Sequence, residues 1–143
     1  MISKVQMMPI ILEKFPAFGP IWKKHLELWK GEEAGIYNDI AEFANFVVDA
    51  CERRENESVT AAFSLIEEFL VEGDEEVRNA ASIGFLEDVR NVSSWRPFGQ
   101  EPFVQRLGPQ SKVAWAAIEE IWRGKTSLAD VVRAEIRAEK KKE

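Results

Sequence analysis

The sequence predicts an all-α fold, a single compact bundle of about six to seven helices, and three observations carry that prediction. Apolar residues recur at spacings of three and four along nearly the whole chain, the period of a helix face. No stretch of four to eight residues alternates apolar and polar between turn signals, so no strand is expected. Glycine and proline clusters interrupt the pattern at intervals that suit helices joined by short links. A chain of 143 residues is long enough for one domain with a substantial core and too short for two to be expected, so one domain spans 1–143.

The elements follow in order. Pro9 is tolerated in a first helical turn, which predicts a short helix from about Met8 to Lys14. Pro16, Gly19 and Pro20 end it, and a second helix begins near Pro20. Its apolar face is Ile21, Trp22, His25, Leu26 and Trp29, and Gly31 closes it. Ile36, Ile40, Phe43, Val47, Ala50 and Cys51 define a third helix, roughly Tyr37 to Arg54. Asn56 to Ser58 reads as a polar break. Val59, Ala62, Phe63, Ile66, Phe69 and Leu70 mark a fourth helix that runs to Gly73.

The bundle is organised around Phe69 to Val92. Gly73 is placed where a helix C′ residue takes φ > 0. Asp74 is the expected N-cap of the next helix, with Glu75 and Glu76 in its first turn, where the helix dipole favours negative charge. Val77, Ala80, Ala81, Gly84, Phe85 and Val89 form one stripe, and Ile83 and Leu86 widen it. Gly84 costs ~1 kcal/mol against Ala inside a helix; close approach of another helix is the expected compensation. This fifth helix ends near Asn91. Ser93 to Pro102 is irregular, Phe103 to Leu107 a single helical turn, and a sixth main helix runs from Gln110 or Ser111 to Gly124. Thr126 or Ser127 caps a last helix carrying Leu128, Val131, Val132 and Ile136, and the charged tail 137–143 is expected to fray. The pair Ser58–Leu70 and Asp74–Asn91 has the form of a HEAT-type unit, but no second copy follows, so a solenoid is not expected.

Charge is distributed unevenly. From Glu32 to Glu101 there are 17 acidic and 5 basic residues, net −12, whereas the flanking segments are each net +3, which gives −6 for the chain. An acidic body repels nucleic acid and anionic membranes and attracts basic partners. Soluble helices also carry Glu on their wet faces for no further reason. No apolar run approaches the ~18 residues of a membrane span, and Met1 to Leu12 lacks the features of a signal peptide, so a cytoplasmic location is expected. Cys51 is the only cysteine, which excludes an internal disulfide and a cysteine-based zinc site.

Catalytic constellations are not evident, and the expectation is a protein that is not an enzyme and carries no cofactor or metal. His25 is the only histidine, on an apolar face between Trp22 and Trp29, and is expected to be a core or boundary residue. Neighbouring carboxylates such as Glu67–Glu68 and Glu119–Glu120 point ~100° apart on a helix and do not form an acid–base dyad. Phosphate-binding glycine motifs are absent. Glu87 is expected to need a partner if partly buried, with Arg78, Arg90 or an indole N–H as candidates. Trp22, Trp29, Trp115 and Trp122 fall on amphipathic stripes and are assigned to the core. Trp95, in the irregular stretch beside Arg96 and Phe98, either tucks under or anchors a partner, and tucking is the expectation because so apolar a loop usually packs.

Three segments, YNDIAEFANFVVD, F-x-x-I-E-E-F-L-x-x-GDEEVRNAASIGFLEDV and LGPQSKVAWAAIEEIW, resemble a family of small bacterial helical proteins found near polymorphic-toxin and contact-dependent inhibition genes. The resemblance covers about Tyr37 to Trp122. It implies a cytoplasmic immunity protein that binds and blocks a cognate toxin, such as a nuclease or another nucleic-acid-directed enzyme with a basic groove. Candidate partner-binding residues are Glu67, Glu68, Glu72, Glu75 and Glu76, with Trp95 and Phe98. The alternative reading is a HEAT-like helical adaptor that binds another basic protein.

Overall fold

A computed structural model describes residues 1–124, and they form an all-α bundle. Helix α1 spans Lys4–Lys14, followed by a 3₁₀ turn at Pro16–Phe18 and α2 at Gly19–Leu28. Helices α3 (Ile36–Glu52) and α4 (Asn56–Glu72) come next. Helix α5 (Glu75–Asn79), a π-helical segment (Ala80–Leu86) and α6 (Glu87–Ser93) run on without interruption as one long element. A short α7 (Glu101–Val104) precedes α8, helical over 109–124. The last predicted helix and the tail 137–143 lie outside the described residues.

Helix α3 is the centre of the bundle. It packs against α2, α4, the π segment and α6, and buries Ile40, Phe43, Ala44, Phe46, Val47, Val48 and Ala50. Phenylalanine rings continue the core in both directions. Phe18 lies 5.4 Å from Phe43, Phe43 5.6 Å from Phe85, Phe85 5.6 Å from Phe63, and Phe63 5.8 Å from Phe103. The first three contacts are tilted or edge-on and the last is stacked, arrangements that suit the ring quadrupoles, and each ring removes a large apolar area from water.

Gly84 behaves as its sequence position implies: a Cβ there would sit 2.7 Å from Ile40 Cγ2, so the Ile40 side chain of α3 packs directly on the Gly84 backbone. The π geometry around it was not foreseen. Small residues on this face let the helix widen against α3. The Ser82 hydroxyl, which donates to the Arg78 carbonyl at 2.9 Å, also competes for the local backbone acceptors.

Several boundaries differ from the sequence expectation. Helix α1 starts four residues before Met8, because Gln6 Oε1 accepts from the Ser3 N–H at 2.8 Å and organises the first turn. Pro9 is therefore an interior proline, on an exposed face. Asn56 to Ser58 is not a break but the first turn of α4; the break is Arg53–Glu55, where Arg54 takes φ 61°. The single turn after the irregular stretch is Glu101–Val104 rather than Phe103 to Leu107, since Pro102 is accommodated in a first turn.

The Gly73–Asp74 turn is half as expected. Asp74 caps the next helix, its carboxylate accepting from the Val77 N–H at 3.0 Å. Gly73, however, has φ −76° and ψ 154°, extended backbone and not the left-handed region. The cause is a long-range pairing: the Ile2 N–H donates to the Glu72 carbonyl (2.8 Å) and the Asp74 N–H to the Ile2 carbonyl (2.9 Å). Glycine is required there for space, because a Cβ would collide with the Phe69 carbonyl and the Val77 side chain.

Candidate functional site

The seven residues named from the sequence fall into three groups. Glu67 is half-buried and is occupied inside the fold. Its carboxylate accepts from the backbone N–H groups of Gln110 and Ser111, the second at 3.1 Å, and so caps α8 from a different helix. Gly108 allows the approach, since a Cβ there would lie 2.7 Å from Glu67 Cδ. Glu67 is thus a fastening between α4 and α8. A second tie comes from Arg90, whose Nε donates to Glu119 at 2.8 Å while the guanidinium lies over the Trp122 ring.

Glu68, Glu72, Glu75 and Glu76 form an exposed acidic end around the α4–α5 turn. Only Glu68 has a cationic neighbour among the described residues, Lys14 at 3.7 Å, in a pair half open to solvent. Such a pair contributes ~0–1 kcal/mol, so this end keeps its negative field.

Trp95 and Phe98 lie at the opposite end of the long helix, about 27 Å away at 1.5 Å per residue. Trp95 does not tuck under: it is 88% exposed. The reason is that its neighbours do the packing. Phe98 lies 6.1 Å from the Phe103 ring, and Arg96 reaches back to α3, donating to Asp49 (3.0 Å) and Glu52 (2.9 Å). With both flanks attached, the intervening indole faces out on an ordered turn. The acidic and aromatic candidates therefore do not form one patch.

Other singled-out residues resolve as follows. Cys51 is partly buried; burial pushes its thiol up, and the nearby Arg106 offsets part of that. Glu87 is partly buried on α6, and Arg90 serves Glu119 instead of Glu87. Burial, with Glu87 beside it, pushes Asp88 from an ordinary 3.8 to about 6. Trp115 is in the core, as expected from its stripe, whereas Trp22 and Trp122 are half-buried and Trp29 lies at the surface.

The incomplete burial of α2 leaves a groove that the sequence reading missed. A cavity of about 460 Å³ opens between α1, α2, the 29–35 connection and the start of α3. His25 forms its floor, buried, with Nε2 2.9 Å from Asp39 Oδ1 and Nδ1 3.6 Å from Glu42. Trp22 and Trp29 flank the imidazole at 5.3 and 6.3 Å between ring centroids. The connection that forms one lip turns sharply, with Gly31 and Gly35 both at positive φ (83° and 92°). The only sequence signal was a histidine between two tryptophans on one face, and it did not show that the face would stay partly open.

Among the described residues no helix is long and apolar enough to cross a membrane. Fold and surface together define a helical bundle with an acidic end, a displayed indole and an apolar groove. The chain belongs to the family described as "Domain of unknown function (DUF7674)", whose profile matches residues 8–123. No curated protein and no solved structure matches the chain.

Proposed function

We propose that this chain is a cytoplasmic immunity protein that binds a basic toxin domain and occludes its active site. The observation that carries a protein-binding reading is Trp95, an almost fully exposed indole on a turn fixed from both sides. Exposing an indole forgoes its burial, and tryptophan is the residue type most enriched among interface anchors. The choice of a basic partner is supported by the net −12 between Glu32 and Glu101 and by the uncompensated carboxylates of the acidic end. The choice of a toxin rests on the resemblance of the E-E-F-L-x-x-GDEEVR and LGP-x-S blocks to a family of helical proteins found near polymorphic-toxin genes.

The two ends then have separate tasks: the acidic end steers encounter and the indole retains the partner. The experiment is co-expression and co-purification with the product of the adjacent toxin-bearing gene, followed by stopped-flow association at several salt concentrations. Changing Glu68, Glu72 and Glu75 together to Lys should slow association by roughly one to three decades at low salt, with little effect at high salt. Trp95→Ala should weaken affinity by about 2–4 kcal/mol, chiefly through faster dissociation. A partner that is captured equally well by both variants would reject this reading.

A further inference from the structure

We propose that the groove between α1, α2 and α3 binds a small organic cation with an apolar body. The proposal does not depend on the toxin reading. At about 460 Å³ the cavity lies within the ~300–1,000 Å³ usual for small-molecule sites. Its walls are largely apolar: Met7 and Met8 from α1, Trp22 and Leu26 from α2, Ile36 and Ile40 from α3. Unused apolar surface continues at the mouth, where Leu26 is 49% and Val5 79% exposed.

Three features select a cation. First, Trp22 and Trp29 line the cavity on either side of His25, and the face of an indole ring attracts positive charge. Second, three carboxylates line the cavity, those of Glu32, Glu33 and Asp39, against the single ammonium of Lys4 and the imidazole of His25. An anion would meet repulsion there. Third, the Asp39 carboxylate is fixed by His25 through Oδ1, and no described residue bonds Oδ2. A neutral apolar ligand would cover that oxygen and remove its water without replacing it, which costs free energy. A cation covering it restores a partner. The apolar walls take the body of the ligand, and the carboxylates with the indole faces take its head.

The test uses the full chain and three probes of one shape: phenyltrimethylammonium, its neutral isostere tert-butylbenzene, and the anion benzenesulfonate. Binding is followed by NMR on backbone amides and tryptophan indole N–H groups. Phenyltrimethylammonium should give saturable shifts concentrated on Trp22, His25, Trp29 and residues 32–39. It should bind at least about tenfold more tightly than tert-butylbenzene, the scale of a cation–π contact plus a partly screened charge pair. Asp39→Asn should weaken the cation about tenfold and should leave tert-butylbenzene bound as tightly or more so, because the neutral amide costs less to cover than the carboxylate. Because Asp39 also holds His25, the exposed-rim double variant Glu32→Gln/Glu33→Gln provides a control for folding. It should weaken the cation about two- to threefold at unchanged melting temperature. Equal affinity for the neutral isostere, shifts scattered away from the groove, or no saturation by the cation would each overturn the proposal.

Discussion

The long helix from Glu75 to Ser93 ends in two different ways. At its start the carboxylates of Glu72, Glu75 and Glu76 stand exposed, with only the weak Lys14–Glu68 pair nearby. Towards its far end several carboxylates are tied to other elements: Arg96 holds Asp49 and Glu52 and Arg90 holds Glu119, while Arg53 pairs with Glu55 at the surface. Three of the five basic residues in the acidic stretch are engaged there. The same sequence-level charge thus acts as a field at one end and as scaffolding at the other. A net charge read from a sequence does not show which carboxylates remain free to act on a partner.

That comparison can be broken most strongly at Glu67, which with the Asp74 cap is one of two carboxylates near the acidic end that act as scaffolding. Glu67→Ala should cost about 2 kcal/mol, since it removes a charged acceptor from two N–H groups at a helix start. Urea unfolding checks this, and a cost near zero would return Glu67 to the free group. Asp74→Ala should cost ~1 kcal/mol, the usual value of a lost N-cap, read in the same way.

Asp88 adds a test of opposite sign. Its folded-state pKa, about 6, is above the ordinary 3.8, so the folded protein takes up this proton first. From this group, stability is lowest above pH 6 and rises as pH falls through 6 towards 3.8. The shift corresponds to ~3 kcal/mol at full strength, and about 1 after solvent screening of a half-exposed group. Asp88→Asn should therefore stabilise the protein at pH 7.5 and lose that advantage by about pH 4, as compared by melting temperature. The smallest effect per residue on folding belongs to the Glu68/Glu72/Glu75→Lys triple. Exposed groups of this kind change stability by about 0.5 kcal/mol or less each. A large loss on thermal melting would mean that the acidic end is scaffolding too.

Local chemistry explains what was legible in the sequence. The helix stripes, the Asp74 cap and the crowding at Gly84 depend on spacings of three or four residues, or on a missing side chain inside a helix. What was not legible depends on distant partners. The backbone of Gly73 is set by Ile2, some seventy residues earlier, and Glu67 is claimed by Gln110 and Ser111. Trp95 is exposed because Arg96 and Phe98 found partners elsewhere. The groove was hidden for a related reason: a helical face of Ile21, Trp22, His25, Leu26 and Trp29 looks like core whether or not a neighbour covers all of it. The polar connection at Asn56 was misread because Asn, Glu and Ser are as much at home in a first turn as in a loop.

The bond from Glu67 to the start of α8 grips main chain and not side chains. A carboxylate that accepts from N–H groups cannot tell which residue donates, so the latch is indifferent to the identity of the exposed Gln110 provided that its N–H is kept. Proline at that position would weaken it by removing one of the two donors, leaving the Ser111 N–H. The E-E-F-L block and the LGP-x-S block, which look in the sequence like two separate signatures, are the two halves of one catch. The outer face of α8 is thereby free to change its chemistry without loosening its attachment.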